Sequence, residues 1–217
     1  MKLLLENWRR YLNEGEEGMR TAEQLINSGR LKIAIDIRGR KATEFYYIRK
    51  NYEDIWKSDS DMGSIFLTRV GSHLPSRGPC SGAWTVGTAK AEHGWGPLLY
   101  DIAMEWATKE GGGGGIMTDR EGSSGAARRV WDYYLNKRNH PDITIHQLDD
   151  LENTITPEKE DNCQQPDKKE FDRSEDPGMK ADTSGTEWMK SARSKRFTKK
   201  PTTLDKLEKL GLIIRNK

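Results

Sequence analysis

A mixed α/β fold of the α+β kind is predicted by three features of the sequence. Residues 31–38 and 42–49 are neighbouring strand patterns joined by Gly39-Arg40. Residues 83–91 form a β-type stretch that runs through Gly94 and Gly96 into a helical pattern at 97–109. A second helical pattern, at 124–136, lies between two further strand patterns, 116–119 and 143–148. The order is strands, helix, strand, helix, strand, which a single layered domain can satisfy.

Each element has its own local reason. Residues 31–38 alternate with period two, and Gly39-Arg40 is a turn signal, so 31–49 reads as a hairpin. Residues 52–57 suit a short helix, 64–70 a third strand, and 71–82 a loop with two prolines. In the first long helix Pro97 suits the first position, where its missing N–H costs nothing. Leu98, Leu99, Ile102, Ala103, Trp106 and Ala107 make its core stripe. The five glycines 111–115 end it and read as a mobile connection. Ser123 or Ser124 can cap the second helix, whose inner stripe is Ala127, Val130, Trp131 and Tyr134.

Composition sets limits. The chain has 217 residues, room for one ordinary domain plus tails. Charged residues make up 32% against 34% hydrophobic, so part of the chain is expected not to pack. A net charge of +2 gives no global attraction to nucleic acid, and any basic effect must be local. Cys80 and Cys163 suggest neither a disulfide scaffold nor a zinc site. His73, His140 and His146 lack ligand spacing, so no metal is expected. No apolar run approaches the roughly 18 residues that span a bilayer. The expected setting is intracellular or inside a particle.

The most informative stretch is 91–100, Ala-Glu-His-Gly-Trp-Gly-Pro-Leu-Leu-Tyr. A strand, a glycine turn and a helix N-terminus together form an anion site. Glycine admits close approach, and the first helical N–H groups and the dipole favour phosphate. The alternative is a corner that needs glycine for its geometry alone.

The order of elements and this turn resemble the GNAT acetyltransferases over residues 31–150. The resemblance implies a mostly antiparallel central sheet flanked by helices, and acetyl-CoA as cofactor with an unknown amine as acceptor. The family's acyl-CoA loop reads Gln/Arg-x-x-Gly-x-Gly/Ala. Here Ala91, Gly94 and Gly96 occupy those places, so the glycines match and the leading polar residue does not. By resemblance, residues 86–91, with Val86, Thr88, Ala89 and Ala91, line the pantetheine arm. His93, Gly94, Trp95, Gly96, Pro97 and Leu98 cradle the diphosphate. The family's Asn-x-x-Ala-x-x-x-Tyr helix motif reads Ser124-Gly-Ala-Ala127-Arg-Arg-Val-Trp131. Serine can replace the cap, but an indole cannot replace a phenol as the acid for the leaving thiolate. Tyr133 and Tyr134 are the nearest candidates, out of register.

A base for the amine could be His93, with Glu92 and Glu105 as neighbours in sequence; a loop histidine can equally serve a local hydrogen bond. Asp119-Arg120-Glu121, at a strand end, reads as a local ion pair or turn. Trp84, Trp95, Trp106 and Trp131 recur through the domain centre and read mostly as core; for Trp95, between two glycines, covering the cofactor or contacting a partner is the alternative.

Residues 1–14 form an amphipathic pattern through Leu4, Leu5, Trp8, Tyr11 and Leu12. They resemble the capsid-targeting peptides of T-even-type phages, whose head protease cuts after Leu/Ile-x-Glu. Here Leu12-Asn13-Glu14 precedes Gly15. That resemblance implies a phage protein with head or protease contacts, in the host cytoplasm or the virion interior. The alternatives are a helix docked on the domain or on a membrane surface. Residues 15–30 read as linker or helix, and 151–187 as solvated, disordered chain. Residues 188–217 read as a basic segment with a C-terminal helix. Within it Lys190, Arg193, Lys195, Arg196, Lys199 and Lys200 interleave with Trp188 and Phe197, which suits either nucleic-acid binding through 188–200 or a flexible tail. Thr202 or Thr203 caps the last helix, Leu204, Leu207 and Leu210 dock it, and 212–214 is a last strand. Three functions stay open: an N-acetyltransferase, a non-catalytic internal head or interaction protein with this fold, and a Mom-like DNA base modifier.

Overall fold

A computed structural model describes residues 17–49, 62–70, 77–92, 94–120, 125–136, 141–152, 154–164 and 189–216. The amphipathic pattern at 1–14, the helix at 52–57, and His73, His93, Ser123, Ser124, His140 and Trp188 lie outside them.

The fold is mixed α/β, with an eight-stranded, mostly antiparallel sheet in the order β10-β1-β2-β3-β4-β5-β9-β6. Its strands are β1 (Leu31–Arg38), β2 (Ala42–Arg49), β3 (Gly63–Arg69), β4 (Trp84–Ala91), β5 (Ile116–Thr118), β6 (Ile143–Gln147), β9 (Lys195–Lys199) and β10 (Ile213–Asn216). β7 (Asp149–Asp150) and β8 (Asn162–Cys163) form a separate small parallel pair. Within the large sheet only β1–β10 and β4–β5 run parallel. The helices among the described residues are α1 (Glu17–Ser28), α2 (Gly96–Lys109), α3 (Gly125–Asn136) and α4 (Thr203–Lys209).

The hairpin of β1 and β2 pairs in full register from Leu31↔Arg49 to Arg38↔Ala42. Alternation then sends Ile33, Ile35, Phe45, Tyr47, Ile65 and Leu67 into one continuous core. The helices supply the rest of it: Leu25 of α1, Leu98 to Ala107 of α2, Trp131 and Tyr134 of α3, and Leu204 and Leu207 of α4. Trp84, Trp106 and Trp131 are all buried, the first two edge to face at 5.0 Å.

The glycine run is packed, contrary to its reading as a mobile connection. Gly111, Gly114 and Gly115 are buried. A Cβ on Gly114 would overlap the Gly82 carbonyl and the Ala83 amide, and one on Gly115 the Phe197 carbonyl. One on Gly111 would lie 2.6 Å from the indole nitrogen of Trp84, which donates to the Gly111 carbonyl at 2.8 Å. The backbones come too close for side chains. Gly114→Ala is therefore expected to cost at least about 3 kcal/mol, read as a lower denaturant midpoint. Gly113→Ala, with open space around it, should lose only about 1 kcal/mol from its φ of 86°.

The charged stretch after 150 is also more ordered than its composition suggests. Over 154–164 the chain folds back against Asp149, whose carboxylate accepts the Ile155 and Thr156 amides at 2.8 and 2.7 Å. Those bonds outweigh burial and hold its carboxyl below the ordinary value. A disulfide joins Cys80 and Cys163, correcting the expectation of no disulfide. Both sulfurs sit in a small core with Ala83, Met117 and Leu148. Solvation decides the fate of charged chain only when nothing local satisfies it, and here a carboxylate and a covalent clip do.

Part of the basic segment is built into the sheet rather than forming a flexible tail. Residues 195–199 are β9, inserted between β5 and β6, with Phe197 and Lys199 buried and Arg193 buried just before them. Lys195 reaches the Gln147 side chain, and Arg196 the Gly114 carbonyl. Of the cations in 188–200, Arg193 and Lys199 are buried, Lys195 and Arg196 are partly buried, and Lys190 and Lys200 are exposed. The sheet therefore takes two strands, β9 and β10, from the C-terminal segment.

Candidate functional site

β4 bulges at Gly87. Phe66 pairs with Thr88 and Leu67 with Val86, leaving Gly87 as the extra residue. A bulge bends its strand and raises the local twist. Pairing with β5 stops at the same place: Trp84↔Ile116, Thr85↔Met117 and Val86↔Thr118 are the only pairs. From Gly87 to Ala91 that edge of β4 has no strand partner among the described residues, and all five residues are exposed. β5 ends at Thr118, so the ladder closes at the Val86–Thr118 pair and, like one prong of a fork, the β4 edge beyond it runs on without a strand partner among the described residues toward the glycine turn.

The turn follows at the outer end. Gly94 has φ 83°, a left-handed conformation that favours glycine, and space around it is open. Trp95 is the N-cap of α2, Gly96 and Pro97 open the helix, and no side chain caps it among the described residues. Its first turn carries no acidic residue, so the dipole there is not offset.

Of the residues expected to hold the cofactor, Thr88, Ala89 and Ala91 line the open edge and Val86 closes the fork. Gly94, Trp95 and Gly96 are partly exposed at the turn. Pro97 and Leu98 are buried, so only their backbone is on offer. Trp95 is used by the fold: its N–H donates to the Glu92 carbonyl at 3.0 Å, and its carbonyl accepts from the Tyr47 hydroxyl at 2.7 Å. Its ring meets that of Tyr47 edge to face at 5.2 Å. It packs on the core rather than standing out as a lid, and its amide is not available to an anion.

The catalytic candidates fare differently. Tyr134 is buried, and its hydroxyl donates to the buried Asp101 carboxylate of α2 at 2.9 Å. Tyr133 is buried beside it, their rings 5.6 Å apart. Trp131, at the family's tyrosine position, packs between Tyr100 and Phe197. Glu105 is no base for an amine. It is fully buried and accepts the Thr203 and Leu204 amides at 3.1 and 2.6 Å, capping α4 in place of Thr202. Its charge is met by Lys199, which also lies 3.0 Å from Asp142. Arg120, just past β5, is buried and donates to the Gln164 carbonyl at 2.8 Å. Burial and the nearby Arg193 guanidinium push its pKa down to about 9.

Sequence reasoning passed over Thr118. It is fully buried two residues after Ile116, on the helix-facing side of β5, and its hydroxyl has no hydrogen-bond partner. The available signal was one hydroxyl in an otherwise apolar strand that leads to a predicted site.

No family model, no curated protein and no solved structure matches this chain.

Proposed function

We propose that this chain is an acyl-CoA-dependent N-acetyltransferase-like protein that passes an acetyl group from acetyl-CoA to an amine. One observation carries this reading: the pairing of β4 with β5 ends at Val86–Thr118, and the unpaired edge of β4 leads on to a helix N-terminus with no side-chain cap among the described residues. Five residues of strand at about 3.3 Å each separate the two ends by about 17 Å, which an extended pantetheine arm can span. Thr88, Ala89 and Ala91 would flank the arm, and the Gly96 and Leu98 amides would face the diphosphate. The bound molecule brings an activated thioester; the chain's part is to hold it at both ends and keep its carbonyl accessible to an amine.

Isothermal titration of the full chain with acetyl-CoA tests the reading, and no binding at millimolar ligand rejects it. A charge variant sharpens the test. Gly96 is the first residue of α2, where a carboxylate favours the helix by about 0.3–1 kcal/mol. Gly96→Asp should therefore keep or raise the melting temperature while weakening acetyl-CoA binding at least tenfold by repelling the diphosphate.

A second reading is a non-catalytic protein that keeps the fold. It is favoured by Trp131 standing in the core where the resemblance calls for a phenol, and by the Tyr134 hydroxyl being committed to Asp101. Packaging in a phage head rests on residues 1–14 alone.

A further inference from the structure

We infer that Thr118 contacts the acyl group, donating a hydrogen bond from its hydroxyl to the thioester carbonyl oxygen. This rests on the acyl-CoA reading above and adds a role for one residue. The inner end of the fork is the Val86–Thr118 pair, and the next residue of β4, Gly87, carries no side chain and is exposed. A ligand lying along the free edge of β4 with its phosphates at Gly96 ends at this pair. The Thr118 hydroxyl sits there without a hydrogen-bond partner in a fully buried residue. A buried hydroxyl left unsatisfied costs free energy, and valine would fill the same volume without that penalty. A bound carbonyl oxygen supplies the acceptor that the fold does not.

The chemistry gives the hydroxyl a task. The amine nitrogen attacks the carbonyl carbon, a C–N bond forms, and the carbonyl oxygen gains negative charge. The C–S bond then breaks, the sulfur leaves with the electron pair, and the proton released by the nitrogen neutralises the thiolate. A donor fixed at the oxygen is worth more as that charge grows.

The test compares acetyl-CoA with CoA, which has no carbonyl at this position, by titration of the full chain. Wild type is expected to prefer acetyl-CoA about five- to tenfold. Thr118→Val should lose that preference while binding CoA as before, and Thr118→Ser should keep it. A structural role alone would move both affinities together. Should Thr118→Val not fold, the carbonyl stretch of ¹³C-acetyl-CoA bound to wild type gives the answer: a shift to lower frequency supports the contact, and an unshifted band overturns it. Equal affinity of wild type for the two ligands, or a preference that survives Thr118→Val, overturns the role of Thr118 and leaves the acyl-CoA reading standing. Failure of wild type to bind either ligand overturns both.

Discussion

Lys199→Met is expected to destabilise the protein by about 3–5 kcal/mol, the loss that follows removal of one member of a buried ion pair. Lys199 arrives on β9 with its side chain almost fully enclosed, and it meets Glu105 from α2 and Asp142 from the approach to β6. Glu105 in turn holds the first amides of α4. Removing the ammonium leaves a buried carboxylate without its cation in the joint of three elements. Chemical denaturation should show the loss directly. Replacing both partners, as Lys199→Met with Glu105→Leu, should be milder than Lys199→Met alone, because no buried charge is then stranded. The pH dependence has a definite sign. Burial works against the Lys199 charge, but Asp101, Glu105 and Asp142 outweigh it and hold the ammonium above its ordinary value. The contribution is complete below the ordinary value of 10.5 and is lost only as pH rises through the higher folded value. The contribution of the Lys199 ammonium should therefore be unchanged through neutral pH and fall in strong alkali.

Breaking the Cys80–Cys163 disulfide is expected to cost about 4–5 kcal/mol in the chain-entropy model, since it closes a loop between cysteines 83 positions apart. Cys80→Ala with Cys163→Ala avoids leaving buried thiols. The melting temperature of wild type should drop on adding reductant, whereas that of the double variant should not change. Hydrogen exchange should quicken first in 149–164, where the clip and the Asp149 carboxylate together hold a charged stretch with little apolar surface. Non-reducing peptide mapping that finds both cysteines as free thiols would overturn the bond itself.

The sequence disclosed the fold wherever a residue's own neighbours determine its conformation. Period-two alternation and Gly39 place β1 and β2, Pro97 starts α2, and an apolar stripe identifies the face that α2 buries. It misled wherever the deciding partner is far away in the chain. Lys195, Arg196 and Lys199 read as a solvated tail because nothing nearby neutralises them; Glu105 of α2 does so for Lys199 in space. The glycines at 111–115 read as slack, because only the backbones of Gly82, Ala83 and Phe197 reveal why side chains are excluded. Two cysteines with no spacing motif carry no pairing signal until the turn at Cys80–Gly82 and β8 are brought together. The candidate site divides the same way. The glycine turn was visible as a local motif. The Gly87 bulge, the end of pairing at Thr118 and the loss of the Trp95 amide to Glu92 were not, since each depends on which strand lies alongside.

Placing β9 between β5 and β6 has a consequence for synthesis on the ribosome. β5 borders β4 on one side, and its other neighbour is β9, which is made only after β6. β6 waits for the same late arrival, because its ladder runs wholly along β9. A nascent chain stalled before residue 195 would thus leave β1, β5 and β6 each short of a strand partner, an invitation to cross-pairing between polysomal neighbours. Closure of the sheet waits on one short basic strand finding its slot.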